Sequence, residues 1–317
     1  MATRFSDHMK TLLELLVVMA KVTYYWLVAM VMVFVPTRLI AKDVKGKTVL
    51  ITGAGGGIGS LLAENFGALG CRLVLWDING ALNTKTKERV QSKHPHVDVT
   101  VYTVDLSKSE DIQDTAKKVI KDVGEVDILV NNAGVVFGKT VMDSVEGQMV
   151  KTMQVNCFAH YWTCKAFLPT MLSRNSGHIV TVASSAGLMG VPRMADYCAS
   201  KFAAVGFDES LRTELGSLGK DGVHTTVVCP YLINTGMFDG CKSKFPFIMD
   251  ALDPKYVADE ITKAVLRNQE VLYLPRLIYV LFAIKAILPV KCQYLLHDFA
   301  GATTLMNTFS GSHVKSQ

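Results

Sequence analysis

The sequence predicts an α/β protein built on a doubly wound parallel sheet of about seven strands, with a membrane helix ahead of it. Three observations carry that prediction. Short apolar runs alternate with helical stretches from about residue 47 to residue 275, a glycine-rich turn directly follows the first run, and a long apolar stretch stands near the N-terminus.

The apolar stretch comes first in the chain. Residues 15–35 read LLVVMAKVTYYWLVAMVMVFV, with Lys21 the single charge. At about 1.5 Å per residue such a helix crosses a hydrocarbon core of about 30 Å. Lys21 sits near its N-terminal end, where its stem reaches the interface. A composition of 50% hydrophobic and 19% charged residues points the same way. A cleaved signal peptide and a buried helix are the competing readings. No clear small-residue cleavage site follows the run, and a buried helix of this length and apolarity is unusual. Arg38, Lys42, Lys45 and Lys47 follow the segment, against Arg4 and Lys10 beside Asp7 before it, which favours a cytosolic main domain. Residues 1–40 are read as an anchor, 41–275 as the sheet domain and 276–317 as an apolar segment with a tail.

Strands are expected at residues 48–52, 72–76, 99–104, 127–132, 178–184, 224–230 and 270–275, with helices between them. Strands alternating with helices form parallel β-α-β units. The segment 274–290 is apolar but broken by Arg276, Lys285 and two prolines, so it is too short to span a bilayer. A helix lying on a membrane, a cover for a pocket mouth and plain core packing all fit it. The tail beyond Gly301 is polar and carries no signal.

The first strand runs into TGAGGGIG at residues 52–59. Glycines in that position permit a tight turn and let backbone N–H groups approach a pyrophosphate at a helix N-terminus. Gly53, Gly57, Ile58 and Gly59 are therefore assigned to a dinucleotide. Asp77 closes the second strand, where a carboxylate accepts hydrogen bonds from the adenosine ribose and repels a 2′-phosphate. The expected cofactor is NAD, and a capping role is the alternative for Asp77. Asp105 and Leu106 close the third strand, where they meet the adenine or cap the next helix. Asn132, Ala133 and Gly134, in NNAG at the end of the fourth, let the chain pass close to the cofactor.

YCASK at residues 197–201 places Tyr197 and Lys201 on one helical face. An ammonium beside the phenol, with a positively charged nicotinamide, favours the phenolate and makes Tyr197 a usable base. Ser184 precedes Tyr197 by 13 residues, at a strand C-terminus, where open α/β sheets bind ligands.

TGxxxGxG at 52–59, NNAG at 131–134, Asn156, Ser184 and YxxxK at 197–201, in this order and spacing, resemble the short-chain dehydrogenase/reductase family, with its Rossmann-like fold. The resemblance covers about residues 45–275. It implies that Tyr197 acts as general base, Ser184 binds the substrate oxygen, Lys201 tunes Tyr197, and Asn156 holds a water linking Lys201 to solvent. It selects Ser184 over the neighbouring Ser185, and it places Thr235 against the carboxamide. CPYLINTG at 229–236 departs from the family pattern, with Tyr231 where a glycine is usual. The family also pairs through long helices, here around 143–172 and 196–217, which implies a homodimer.

Leu188, Met189, Val191 and Met194 before Tyr197, and Met237 and Phe238 after Tyr231, form an apolar set around the substrate position. Core packing is the plain alternative. The substrate site is read as Ser184, Leu188, Met189, Met194, Tyr231 and Met237. LWDIN (75–79), VGEVDILVNNAGVV (123–136), KAFLPTML (165–172), DYCASKF (196–202) and CPYLINTGMF (229–238) further resemble the membrane-bound retinol dehydrogenases, the retinol dehydrogenase 10 type above all. This implies oxidation of all-trans-retinol to retinal with NAD, at the endoplasmic reticulum or on lipid droplets. A 17β-hydroxysteroid or another lipid alcohol, and a scaffold that binds cofactor without turnover, are the alternatives.

Other classes fall away. The net charge of +5 comes without a basic stripe interleaved with aromatics, so no nucleic-acid partner is expected. Seven cysteines without a CxxC pair suit reduced thiols in a cytosol-facing domain. No Cys/His spacing fits a zinc site, so no metal is expected.

Overall fold

The structure is a computed structural model of the chain, described here for residues 2–311. It divides into two compact units, Met1–Lys42 and Asp43–Gln317. The first is dominated by α1 (Ala2–Met32), followed by the short α2 (Thr37–Ile40). Within α1, Asp7–Met32 is 26 residues of apolar helix with none of its hydrophobic stretch buried. At about 1.5 Å per residue it measures about 39 Å, enough to cross a bilayer.

The second unit is an α/β domain. Its strands are β1 (Thr48–Thr52), β2 (Arg72–Asp77), β3 (Val99–Thr103), β4 (Ile128–Asn131), β5 (Gly177–Val182), β6 (Val223–Pro230) and β7 (Val271–Leu274). They form one sheet of seven parallel strands in the order β3-β2-β1-β4-β5-β6-β7. Strands appear in all seven expected places. The order reverses between β1 and β4, so the loops leaving those strands diverge and open a crevice at their C-terminal ends.

Both faces of the sheet are covered, which is why the strands read as unbroken apolar runs. Along β1, Val49 and Ile51 join the core beneath α3 (Gly57–Ala68) and α9 (Pro254–Leu266). Leu50 points to the other face, into a core completed by α5 (Ser109–Asp122), α7 (Ala159–Arg174) and α8 (Ala195–Ser217). The connection from β2 to β3 is α4 (Gly80–Lys93), capped by the Asn79 side chain accepting from the Leu82 N–H. Asp253 caps α9 in the same way, with Pro254 in its first turn. Between α6 (Glu146–Met153) and α7 one turn, Gln154–Phe158, is π-helical.

Beyond β7 the chain forms a helical hairpin, α10 (Leu277–Ile287) and α11 (Val290–Phe299). The Gln293 amide ties it together by donating to the carbonyls of Lys285 and Leu288. The tail then folds back onto the loop after β6. Ser310 N–H donates to the Asp239 carbonyl at 2.9 Å, and Met306 is fully buried. No local pattern announces this docking, because the tail's few apolar residues lack any periodicity.

Phe167 is buried on α7, with its ring centroid 5.8 Å from that of Trp76. Phe167→Ala is expected to cost about 3–5 kcal/mol through lost transfer energy and the cavity left behind. Thermal unfolding of the detergent-solubilised protein checks this, and a melting temperature equal to wild type contradicts it.

Candidate active site

The crevice at the strand-order reversal is a cleft of about 530 Å³. Its floor is the glycine loop. Gly53 and Gly57 have φ of 65° and 51°, a left-handed conformation that side chains resist. At Gly59 a Cβ would lie 2.2 Å from the Gly53 carbonyl oxygen, so only glycine lets α3 start this close to β1. The Gly55 N–H donates to one Asp77 carboxylate oxygen at 2.8 Å and the Asn79 N–H to the other at 2.8 Å. Asp77 thus pins the loop while keeping lone pairs free for a ligand hydroxyl.

Across the cleft, the Asn132 amide donates to the carbonyl of Thr52 at 2.9 Å. The Thr52 hydroxyl accepts from the N–H groups of Asn132 and Ala133. These bonds lock the NNAG segment to the glycine loop. Thr52 belongs to the sequence motif, but its locking role shows only in three dimensions. Asp105 accepts from the Ser107 N–H and hydroxyl at 3.0 and 2.6 Å. Partial burial opposes its charge, but these bonds, with Lys151 and Lys108 nearby, outweigh it and hold the carboxyl below its usual range.

All the cofactor residues expected from the sequence line the cleft except Gly59, which packs beneath it. Gly134 and Thr235 are among them. Lys151, not anticipated, brings a cation to the lip. No arginine is among the described residues that line the cleft. A loop cleared of side chains, a carboxylate at one end and a buried amine at the other fit a nicotinamide dinucleotide.

Tyr197 lies in the first turn of α8, and Lys201 follows one turn later on the same face. The Lys201 Nζ lies 5.7 Å from the Tyr197 ring centroid and donates to the Val182 carbonyl at 2.8 Å. Both side chains are buried. Ser184 follows β5, and its hydroxyl accepts from the Ala186 N–H at 3.1 Å, capping a 3₁₀ turn. The same hydroxyl donates to the Pro230 carbonyl at 3.5 Å and lines the cleft together with Tyr197. Burial raises the Tyr197 pKa above the usual phenol value, and the nearby Ser184 hydroxyl only partly offsets this. Burial likewise lowers Lys201 to about 8. The acidified phenol is the expectation for the site with oxidised nicotinamide bound; in the chain alone desolvation prevails.

Asn156 lies in the π-helical turn, a local distortion frequent at functional sites. Its Oδ1 accepts from the Val135 N–H at 2.8 Å, and its amide donates to the Val135 carbonyl and to the Ser200 hydroxyl. The side chain is therefore committed to fastening the segment after Gly134 to α8. One turn on, His160 is fully buried, and desolvation, with help from Lys201, lowers its pKa to about 3. It is a neutral imidazole that the sequence did not single out.

A second, apolar cavity of about 160 Å³ adjoins the cleft and shares Ser184, Tyr231 and Phe238 with it. Met189 and Met194 line it as expected. Two expected residues lie elsewhere. Leu188 points away from Met189 into the core among Ala183, Ala204 and Ile278, and gives its carbonyl to Lys285. Met237 lines the dinucleotide cleft instead. Tyr231 lines both spaces. The far wall is made by Ile278 and Leu281 of α10, Leu296 and His297 of α11, and Met306 of the tail. The helical spacing of 278, 281, 285 and 288 was the available signal for that wall.

With this geometry in place, the comparisons with known proteins identify the class. The family description "short chain dehydrogenase" matches residues 47–244, and the chain belongs to that family, as an oxidoreductase. Among curated proteins, it is 45% identical to epidermal retinol dehydrogenase 2 of Mus musculus over 87% of this chain and 89% of that one. It is 42% identical to retinol dehydrogenase 10 of Homo sapiens, covering 95% of each chain. Among solved structures, a short chain dehydrogenase/reductase from Burkholderia phymatum in complex with NAD is 26% identical, with a TM-score of 0.70 over 80% of this chain and 96% of that one.

Lys201 supplies a stability test. Its pKa falls from 10.5 to about 8 on folding, so between those values the unfolded chain binds more protons and stability rises with pH. Below pH 8 the buried charge is carried at a cost. Lys201→Met should therefore melt higher than wild type at pH 7, with the gap narrowing as pH rises from 8 to 10.5. A gap independent of pH over that window contradicts this.

Proposed function

We propose that the chain oxidises a lipophilic alcohol to its carbonyl with NAD, and that all-trans-retinol, giving all-trans-retinal, is its substrate. One observation carries the reading: Ser184, Tyr197 and Lys201 meet where the dinucleotide cleft opens into the apolar cavity. The retinol dehydrogenases named above support the choice of alcohol, and Met189, Met194 and Phe238 supply apolar walls for a polyene.

In this reading Ser184 holds the substrate oxygen and aligns its proton with the Tyr197 phenol oxygen. Tyr197 takes that proton as general base. The bound oxidised nicotinamide supplies the hydride acceptor and a positive charge. That charge offsets the desolvation which keeps the phenol protonated in the chain alone. Lys201 adds a second cation, steadied by Val182, and can orient the nicotinamide ribose. Asn156 holds the Gly134–Val135 segment and α8 in register around them. Asp77, with no arginine among the described lining residues to neutralise a 2′-phosphate, selects NAD over NADP.

Residues 1–40 serve as the membrane anchor and 41–275 as the catalytic domain, with 276–306 covering the pocket. The anchor places the enzyme at the endoplasmic reticulum with the domain in the cytosol, and on lipid droplets. A homodimer through α7 and α8 suits the exposed Tyr161 on α7 and Phe202 on α8, with Phe158 in the π-helical turn just before α7.

Tyr197→Phe is expected to lower kcat for retinol by about 10²- to 10⁴-fold, the usual contribution of a positioned base. Ser184→Ala should cost far more than Ser185→Ala. Assays on membrane fractions check both, and a panel including 17β-hydroxysteroids decides the substrate: fast steroid oxidation beside negligible retinal formation overturns retinol. For the cofactor, kcat/KM with NAD should exceed that with NADP by about tenfold or more, since one unpaired charge repulsion of about 1.4 kcal/mol gives that factor. Comparable values for the two would refute the role given to Asp77.

A further inference from the structure

The α10–α11 hairpin carries apolar residues on two faces. The inner face walls the cavity through Ile278, Leu281 and Leu296. The outer face is also apolar: Val280, Ile287, Val290, Tyr294, Leu295 and Phe299 are exposed, with Ile287 at 81% and Leu295 at 72%. A surface helix bathed in water turns polar residues outward. The patch continues into the loop before α9, where Phe245 contacts the Phe299 ring at 5.2 Å and Phe247 is 82% exposed. Contiguous exposed apolar area of this kind marks an interaction surface.

Its chemistry favours a lipid bilayer over a protein. Residues 277–299 contain one acidic side chain, Asp298, which accepts from the Thr303 hydroxyl; Lys285 and His297 turn towards the cavity, which leaves Lys291 as the cation of the outer side. Lys244 lies 5.4 and 5.5 Å above the rings of Phe245 and Phe299. An apolar face with aromatics and a lysine rim suits the interface of an anionic membrane, with side chains among the acyl chains and ammonium groups at the headgroups. The same chain carries the apolar helix Asp7–Met32, and only residues 33–42 separate it from the catalytic unit. Fully extended, that linker reaches about 35 Å, so a bilayer holding the helix is within range of the domain.

We infer that the outer face of the α10–α11 hairpin seats the catalytic domain in the bilayer interface, so that an apolar substrate passes from the acyl layer through the hairpin into the cavity beneath. The seating stands on the exposed surface alone, and the delivery step rests on the proposed oxidation of a lipophilic alcohol.

The test uses the full chain in vesicles of phosphatidylcholine and phosphatidylserine. Cys292 on α11 is the exposed cysteine among the described residues and takes an environment-sensitive fluorophore. The label should be quenched by lipid-borne spin labels and shielded from aqueous iodide. In Ile287→Glu/Leu295→Glu, neither of which lines the cavity, the label should become open to iodide while the chain stays membrane-bound. The KM for vesicle-dissolved retinol should rise about tenfold, the factor for about 1.4 kcal/mol of lost burial, with turnover of a short water-soluble alcohol unchanged. A wild-type label open to iodide in vesicles, or one shielded through concentration-dependent self-association, overturns the seating. Lipid quenching with an unchanged KM in the double variant overturns the delivery step. Lipid quenching in a chain that oxidises no retinoid leaves the seating in place and counts against the function instead.

Discussion

An amine carried into the interior of the domain is the constraint around which the site is arranged. Lys201 is fully buried, and a buried charge is costly unless it is hydrogen-bonded. The Val182 carbonyl, one residue past the last β4–β5 pair at Thr181, supplies the bond. With the Asn156–Ser200 and Thr225–Asp208 bonds, that contact helps fix where α8 sits along the sheet. Tyr197 lies one helical turn before Lys201, which brings the phenol into the cleft that Ser184 also lines. Asn156 is held by a π-helical turn for the same end, since a regular α-helix would rotate its amide away from Val135.

The charge balance has a second side. Burial pushes the phenol up and the lysine down, so the resting chain disfavours both ionised forms. The cost to stability falls on the lysine, which carries its charge below about pH 8, while the neutral phenol carries none. Local arrangements that lower stability while serving chemistry are common at active sites.

How much of this was legible in the sequence depends on whether the determining contacts are local. The seven strands read clearly because both sheet faces are covered, which leaves unbroken apolar runs such as TVLIT. The glycine loop and the Tyr197–Lys201 spacing are short-range patterns with direct geometric meaning. Leu188 and Met189 show the limit. They are adjacent and equally apolar, and only the packing of α10 decides that the first is core and the second lines the pocket. The Thr52 bonds to Asn132 and Ala133 join strands about 80 residues apart, and no local signal announces them. Burial around Tyr197, which opposes the phenolate in the chain alone, was equally invisible. The C-terminal residues were the least readable, because their helical period shows that a face exists but not what it covers.

The two halves of the task are written in different parts of the chain. The groups proposed to move the proton and hold the cofactor all fall within residues 47–244, the stretch that matches the family. The outer wall of the apolar cavity comes from residues 278–306, beyond that stretch. Divergence in the final fifth of the sequence can therefore reshape which molecules are admitted while the reacting atoms keep their places, a division that lets one inherited reaction be redirected by drift at the carboxyl end.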